Sequence, residues 1–294
     1  MFCETVAIIG VGLLGGSLGL AVRQRGLARR VVGVVRRAEA ISDVLKQGIV
    51  TEATVEIAEA VRQADLVLVC TPVDCIAKHV CQAFRYAPSH AVLTDVGSTK
   101  ARLVAEVEAS WLQMRSSGGA EAFSAAECRF VGSHPLAGSE KSGYEHAQAQ
   151  LFVGRWVIVT PTPRSCPEAT ERLVEFWEGL GARVQLMAPE DHDQALALTS
   201  HLPHLLASAL AGILPGKWAD FAASGFRDTT RIASGLPEIW TPIFLHNREA
   251  VLDALQQLEN RLEQFRQALQ HEDREKLFRL LAEGKARRDS LNTT

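Results

Sequence analysis

The sequence lacks the strong positive charge that a nucleic-acid-binding protein carries. Its 294 residues include 31 Lys and Arg against 34 Asp and Glu, for a formal net charge of -3, whereas binding phosphates needs a clear basic excess. Aromatic residues are also few, at 6%, so the core must consist mainly of aliphatic side chains. A hydrophobic content of 47%, with 22 Gly and 11 Pro, excludes a disordered or collagenous chain. The composition predicts a globular protein of about two domains with no nucleic-acid partner.

Paired cysteines and long uninterrupted apolar runs are also missing. The six cysteines are scattered, which argues against a disulfide scaffold or a zinc site and predicts free thiols and no bound metal. Two uncharged stretches, Thr5 to Val22 and Ala195 to Leu214, are interrupted by glycines in the first and by Ser, His and Pro in the second. We therefore expect no membrane-spanning segment. The second stretch is predicted to be a helix that its neighbours cover on all sides. The predicted location is cytoplasmic.

Short β-branched runs alternate with amphipathic stretches in the first half of the chain, which is typical of βαβ units and a parallel sheet. After about Pro189 the strand pattern disappears and helical periodicity takes over. We predict an α/β domain over residues 1-188 and an all-helical domain over residues 189-294. The predicted strands are Val6–Ile9, Val31–Val35, Leu66–Cys70, Ala91–Thr94, Phe130–Gly132, Trp156–Val159 and Val184–Leu186. The predicted helices include Ala38–Lys46, Ala101–Met114, Arg248–Gln270 and Asp273–Arg288.

A glycine-rich turn follows the first predicted strand and reads Gly10-Val11-Gly12-Leu13-Leu14-Gly15. Strand, glycine turn and helix occur in the order of the dinucleotide-binding fingerprint. Gly10 permits the tight turn, Gly12 lets the backbone approach a pyrophosphate, and Gly15 lets the helix pack against the strand. The phosphates would bind the N–H groups at the helix N-terminus, beside Leu13 and Leu14. The alternative is a purely structural turn, and the order of elements favours a nucleotide site.

Arg36 and Arg37 follow the second predicted strand, where an NAD-dependent enzyme would carry an acidic residue that binds the ribose hydroxyls. Two guanidinium groups suit a 2′-phosphate instead, which favours NADP over NAD. The alternative is that two exposed arginines simply begin the next helix. Thr71 and Pro72 end another buried strand at the carboxyl edge of the sheet, where ligands bind in open α/β folds. They are predicted to line the same site, or else only to terminate the strand.

Four polar clusters stand out against the apolar background: Thr94–Lys100, Gly132–Gly143, Ser200–His204 and Ser224–Ala233. Each has a structural alternative, such as a turn histidine at His134, a polar network on one helical face at Ser200 and His204, or a salt bridge at Arg231. Together with the glycine turn and Asp191-His192-Asp193, they resemble the prephenate/arogenate dehydrogenase family of tyrosine biosynthesis. The resemblance runs through nearly the whole chain.

The resemblance implies an α/β Rossmann-type N-terminal domain followed by an all-helical C-terminal dimerisation domain, and therefore a homodimer. The implied reaction is an oxidative decarboxylation, in which C4 of a cyclohexadiene ring gives a hydride to the nicotinamide of NADP or NAD and the ring carboxylate leaves as CO2. Because aromatisation drives the reaction, a neutral imidazole near the C4 hydroxyl suffices to accept its proton. By resemblance this base is His134, and Ser98 hydrogen-bonds the same hydroxyl and orients the imidazole.

The implied small-molecule substrate is a dianion, so it needs a cationic anchor, and Arg231 offers a planar fork suited to a carboxylate. The resemblance implies five further residues around the substrate: His204 at the side chain, Ser200 near the nicotinamide, Glu140 and Asp228 as supporting or gating groups, and Trp240 as a wall of the pocket.

The substrate is predicted from the charge near its side chain, which is a keto acid in prephenate and an ammonium in arogenate. Ser142, at a position tied to this choice in the family, is not acidic, and His204 is present as in prephenate-type members. We therefore predict a prephenate dehydrogenase. Arogenate dehydrogenase is the alternative, because Ser224–Thr229 and Arg36 resemble NADP-dependent arogenate enzymes.

Two more distant functions are also consistent with a dinucleotide fold. Another dehydrogenase with a helical second domain would use a lysine base on its first long helix, where this chain has no lysine before Lys217. A non-catalytic NADP sensor would have lost the proton acceptor or the substrate anchor, whereas His134, Ser98 and Arg231 are all present. Both functions are therefore less favoured than a prephenate or arogenate dehydrogenase.

Overall fold

The structure, a computed structural model, describes residues 2–116, 128–138 and 141–291. The chain divides into two compact units, Met1–Asn247 and Arg248–Thr294. The first unit contains the α/β region together with the helices between residues 189 and 246, and the second contains the last two helices. The domain boundary at residue 188 stays a prediction.

The described residues form eight strands in two sheets. The first sheet is parallel with strand order β3-β2-β1-β4-β5, and the second has the order β6-β7-β8. The strand bounds are β1 Cys3–Ile9, β2 Ala28–Val34, β3 Glu52–Thr54, β4 Leu66–Val69, β5 Val92–Asp95, β6 Gly132–Pro135, β7 Trp156–Thr160 and β8 Arg183–Leu186. Strand β3 was not predicted, because its three residues at the edge of the sheet contain no apolar run.

The order of the first sheet is that of a Rossmann-type domain and confirms the predicted α/β fold class. Strand β1 pairs in parallel with β2 on one side and with β4 on the other. Residues Val6–Ile9 are fully buried, as expected for a central parallel strand that is covered on both faces. The strand order reverses between β1 and β4, and ligands of open α/β sheets bind in the crevice outside the carboxyl ends at that point. The turn Gly10–Gly15 and Thr71 follow these two strands.

His134 lies within a strand, which corrects the expectation that it follows one. The predicted strand was Phe130–Gly132, whereas β6 spans Gly132–Pro135 and pairs antiparallel with β7. The reason is a change of partner along one extended segment. Phe130 bridges to Leu93 of β5, and the segment then pairs with β7 from Gly132 onward. All four residues of β6 are buried as a result.

Twelve α-helices are present within the described residues. Their bounds are α1 Leu13–Gln24, α2 Glu39–Lys46, α3 Ile57–Val61, α4 Val73–Phe84, α5 Ala101–Ser116, α6 Pro167–Gly179, α7 Pro189–Leu196, α8 Leu202–Gly212, α9 Ser224–Thr230, α10 Pro237–His246, α11 Arg248–Gln270 and α12 Arg274–Ser290. The predicted bounds of α11 are confirmed. Among the described helices, none combines the length and the apolar content of a membrane-spanning segment.

The helix predicted over Ala195 to Leu214 is not continuous. Helix α7 ends at Leu196, a π-helical turn spans Ala197–His201, and α8 begins at Leu202. Pro203 accounts for the break, because a proline has no N–H to donate and its ring clashes with the preceding turn of an α-helix. The predicted complete burial is also wrong for the single chain, in which Leu198 and Leu206 are exposed.

The glycine turn allows α1 to approach β1 closely. Gly10 has φ +97°, a left-handed conformation that favours glycine, and a Cβ on Gly15 would lie 2.1 Å from the Gly10 carbonyl oxygen. A Cβ on Gly12 would meet no atom within 4 Å. Gly10 and Gly15 are therefore required by the fold, whereas Gly12 faces open space.

Gly15→Ala should lower the free energy of unfolding by at least about 2 kcal/mol, because the added methyl overpacks the contact between helix and strand. Gly12→Ala is the matched control, and its effect as a helix N-cap change should stay within about 1 kcal/mol. Urea unfolding followed by circular dichroism measures both. Equal losses in the two variants would show that the close approach at Gly15 is not needed.

Candidate active site

The glycine turn, the start of α1 and the end of β4 form a cradle that fits a dinucleotide. A Cβ on Gly10 would lie 2.9 Å from Thr71 Cγ2, so the turn contacts the residue that follows β4. Gly12 is the N-cap of α1 and makes no side-chain cap with the N–H groups of this helix. These N–H groups and the open space at Gly12 suit the close approach of a phosphate to a helix N-terminus.

The residues predicted to determine whether NADP or NAD binds lie at the rim of this cradle. Arg36 and Arg37 are exposed beyond the end of β2. Burial raises the pKa of the Cys75 thiol near the start of α4, and the positive charge of Arg36 opposes that rise. The charge of Arg36 therefore acts at the start of α4. Pro72 is exposed and is the N-cap of α4.

Asp95 joins the loop after β5 to strand β6. Its carboxylate accepts hydrogen bonds from Gly97 N at 2.7 Å and from Ser133 N at 3.2 Å, and it forms an ion pair with Lys100. Asp95 and Lys100 are both fully buried. Burial raises the pKa of the Asp95 carboxyl, and the ammonium of Lys100 is the main group that opposes this shift. These contacts of Asp95 with Gly97, Ser133 and Lys100 form the Asp95 clamp. The clamp holds the loop that carries the half-buried Ser98 against the strand that carries His134.

His134 belongs to a chain of three buried side chains. Its Nδ1 atom lies 2.9 Å from Nε2 of His192, and Nδ1 of His192 lies 2.8 Å from Oδ1 of Asp193. Burial, and to a lesser degree the nearby His192 and Lys100, hold the pKa of His134 well below its ordinary value of 6.5. Burial also lowers the pKa of His192, although its hydrogen bond to Asp193 opposes this. Both imidazoles are therefore neutral at physiological pH.

Asp193 also anchors the start of α5. Its two carboxylate oxygens accept hydrogen bonds from Lys100 N at 2.8 Å and Ala101 N at 2.9 Å. Asn247 donates to the Asp193 carbonyl at 2.8 Å and lies 3.0 Å from Nδ1 of His201. His201 is buried, and burial lowers its pKa to about 4. Helix α7, the π-helical turn, the end of α10 and the start of α5 are thus linked around Asp193 through its carboxylate and its backbone carbonyl.

His204 and Trp240 form a stacked pair at the outer end of this cluster. Their ring centroids are 3.4 Å apart with an interplanar angle of 26°. Gly235 permits the stack, because a Cβ there would lie 2.5 Å from Trp240 Nε1 and 3.1 Å from His204 Cε1. Ser200 is half-buried in the π-helical turn. His204 and Trp240, two of the residues predicted in the helical region, therefore form one flat aromatic surface.

Other predicted residues are not joined to His134. Ser142, Asp228 and Arg231 are all exposed, and within the described part of the chain no hydrogen bond or ion pair connects them to the histidine cluster. Arg231 begins a 3-10 turn directly after α9. Glu140 lies outside the described residues.

Five buried residues of this cluster had no predicted role: Asp95, Lys100, His192, Asp193 and His201. The available signals were a charged stretch directly after a predicted buried strand for Asp95 and Lys100, and the polar run Asp191-His192-Asp193. Their partners could not be inferred, because the bonds of Asp193 to the start of α5 connect residues 92 and 93 positions apart.

Two family models match this chain and together cover most of it. Residues 18–186 match the prephenate dehydrogenase nucleotide-binding domain, and residues 188–283 match the prephenate dehydrogenase dimerisation domain. The C-terminal helices are therefore the dimerisation domain of this family.

Individual proteins of this family resemble the chain along nearly its whole length. Prephenate dehydrogenase from Bacillus subtilis is 33% identical over 98% of this chain and 76% of that protein. The structure of A. aeolicus prephenate dehydrogenase with hydroxyphenyl propionate and NAD+ has a TM-score of 0.87 and 32% identity, covering 98% of both chains. Synechocystis arogenate dehydrogenase has a TM-score of 0.80 and 30% identity, covering 98% of this chain and 100% of that chain. This chain belongs to the prephenate dehydrogenase family, whose members are oxidoreductases that use a nicotinamide dinucleotide.

Proposed function

We propose that this protein is a prephenate dehydrogenase of tyrosine biosynthesis, which converts prephenate to 4-hydroxyphenylpyruvate by oxidative decarboxylation with NADP favoured over NAD. The observation that carries the proposal is His134, a buried neutral imidazole on β6, held by the Asp95 clamp beside the loop that follows β5. A nicotinamide dinucleotide bound at the glycine turn would supply the hydride acceptor for C4 of the substrate ring. All other steps fall to side chains of the protein and to the substrate.

His134 is the proton acceptor in this mechanism. As the C4–H bond breaks, the C4 hydroxyl becomes a carbonyl and loses its proton to the neutral imidazole. The ring carboxylate then leaves as CO2, the electron pair of the broken C–C bond completes the aromatic ring, and the oxygen at C4 takes back a proton to give the phenol. A histidine that was already protonated could not do this, so its lowered pKa keeps the base in its working form. Ser98 hydrogen-bonds the same hydroxyl and helps to orient the imidazole.

The remaining predicted residues bind and enclose the substrate. Arg231 binds a carboxylate with its planar guanidinium, His204 contacts the side chain, and Trp240 stacked on His204 forms a wall of the pocket. Ser200 contacts the nicotinamide region. By resemblance to the family, Glu140 and Asp228 are supporting or gating groups, and Ser142 stands at the position tied to the choice of substrate side chain. Arg231 is exposed, as expected for a side chain that folds over the substrate only when the substrate binds.

Prephenate is favoured over arogenate because Ser142 offers no negative charge to an ammonium group. Arogenate is the second candidate, supported by the likeness to Synechocystis arogenate dehydrogenase and by the two exposed arginines after β2. Arg36 and Arg37 stand after β2, where an acidic residue would bind the ribose hydroxyls of NAD. The absence of a carboxylate at these two positions supports NADP.

The active form is a homodimer in the cytoplasm. The match to the family's dimerisation domain supports the dimer. So do apolar side chains exposed on the single chain, among them Ile213 at 75% and Phe221 at 80%, since large exposed apolar surfaces mark association sites. A cytoplasmic location fits a biosynthetic enzyme that draws on the nicotinamide pool of the cell.

Initial rates with prephenate or arogenate, each with NAD or NADP, test the substrate and the cofactor together. We expect the highest kcat/KM with prephenate and NADP. Arg36→Ala should lower kcat/KM with NADP about 10- to 100-fold by removing a charged hydrogen bond to the 2′-phosphate, and NAD rates should not change. Arg29→Ala, an exposed arginine near the other end of β2, is the control. Dinucleotide binding without turnover of either substrate would favour the sensor function.

Gly12→Ala should raise the Kd of the dinucleotide on the order of 10-fold or more, because the methyl would occupy the space left for the pyrophosphate. Titration of intrinsic fluorescence measures the Kd. Gly284→Ala in α12, where a Cβ also meets no atom within 4 Å, should bind normally. An unchanged Kd for Gly12→Ala would mean that the pyrophosphate does not pass this residue.

His134→Asn should lower kcat about 100- to 10,000-fold with little change in KM, because it removes a group that acts in the transition state. In the unsubstituted enzyme the base works when neutral and its pKa is depressed, so kcat/KM should stay constant as pH falls through 6.5 and decline only below it. Arg231→Ala should instead raise KM. Mild and equal effects from both substitutions would show that these residues are structural.

A further inference from the structure

The hydrogen bonds of Asp193 determine which nitrogen of His192 carries its proton. Oδ1 of Asp193 lies 2.8 Å from Lys100 N and 2.8 Å from His192 Nδ1, and Oδ2 lies 2.9 Å from Ala101 N. Backbone N–H groups can only donate, so the carboxylate accepts hydrogen bonds at both oxygens, at the positive end of α5. Its contact with His192 is then also an acceptor contact, and Nδ1 of His192 carries the proton.

The same reasoning extends from His192 to His134. A neutral imidazole has one N–H donor and one acceptor nitrogen, so Nε2 of His192 is an acceptor. Nδ1 of His134 lies 2.9 Å from that atom and must therefore be the donor. This leaves Nε2 of His134 without a proton, with its lone pair directed away from His192.

We propose that His192 and Asp193 are positioning residues that fix the Nδ1–H tautomer of His134, so that Nε2 is the atom that accepts the proton of the substrate hydroxyl. The proposal rests on the proposed function, in which His134 is the base. It adds two residues that touch neither substrate nor cofactor, and it names the nitrogen that takes up the proton.

The same chain stabilises the charge that forms during turnover. When Nε2 of His134 accepts a proton, the ring becomes an imidazolium and its Nδ1–H donates a stronger hydrogen bond to Nε2 of His192. His192 in turn donates to the Asp193 carboxylate, whose negative charge favours the cation. The nearby Lys100 ammonium has the opposite effect, so the contribution of Asp193 is needed where the base is buried next to a positive charge.

A purely structural role is the competing explanation, in which Asp193 caps α5 and His192 only fills space. Two substitutions of His192 separate these roles. His192→Phe keeps a planar ring but removes the acceptor. His192→Gln retains an acceptor for His134 and a donor for Asp193 on one amide. A packing role predicts that Phe is the better replacement, whereas the tautomer role predicts that Gln is better.

The tautomer can be read directly on the substrate-free full-length protein with 15N-labelled histidine, from the ring-nitrogen shifts. We expect His134 to be protonated at Nδ1 in the unsubstituted protein and in His192→Gln, and to become a mixture of tautomers in His192→Phe. The signals are assigned with His134→Asn, and His90→Gln, an exposed histidine that pairs with Asp65, is the control. An Nε2–H tautomer in the unsubstituted protein would overturn the proposal, even if a variant failed to fold.

Kinetics with prephenate provide the second readout. His192→Phe should lower kcat about 10- to 100-fold, the size typical of losing a group that orients a reacting histidine, with the KM for prephenate and the Kd for dinucleotide unchanged. His192→Gln should recover most of kcat. An unaltered kcat in His192→Phe, or equal losses in both variants, would also overturn the proposal.

These measurements distinguish a failure of this proposal from a failure of the proposed function. If the unsubstituted protein does not turn over prephenate but shows the Nδ1–H tautomer, the proposed substrate is wrong and the positioning of His134 stands. If prephenate is turned over but the tautomer does not depend on His192, the function stands and the positioning role is rejected.

Discussion

The Asp193 carboxylate, which caps α5 from a distant part of the chain, is the contact on which the active-site geometry depends. It receives the first N–H groups of α5 and the ring N–H of His192 together. At the other end of the same loop, Asp95 holds Gly97 and Ser133. The segment between these two carboxylates carries Ser98. Its position relative to His134 is therefore determined by two buried acceptors rather than by its own sequence.

Burying these charges is costly, and this constrains the surrounding residues. Asp95 and Lys100 are fully buried as a pair, and removing one member of a buried pair costs about 3–5 kcal/mol because the other is left without compensation. Asp193 is compensated by backbone N–H groups and a helix dipole, with the charge of Lys100 nearby. The histidines packed beside these carboxylates are buried as well, and for this reason their pKa values are depressed.

The parts of the molecule that depend on local pattern could be predicted from the sequence. The buried strand before Gly10, the positions of Gly10 and Gly15, and the bounds of α11 follow from hydrophobic periodicity and from the sterics of glycine. The place of His134 inside β6 could not be predicted, because that strand changes partners at residue 132 and sequence periodicity carries no information about partners. The break at Ala197–His201 directly precedes Pro203, a local signal in the sequence that the prediction of one helix did not use. The three-residue strand β3 was missed because it contains no apolar run.

The strength of the base must satisfy two opposing demands. Burial keeps His134 neutral and ready to accept a proton, but the same burial disfavours the imidazolium that the reaction creates. Aromatisation of the substrate supplies most of the driving force, so a weak base is sufficient if its cation is stabilised only as it forms. A hydrogen-bond chain that ends in a fixed carboxylate has this property, because it strengthens as charge develops on the imidazole and adds little to the neutral state. The Asp193–His192–His134 arrangement therefore reconciles a depressed pKa in the resting enzyme with efficient proton transfer during turnover.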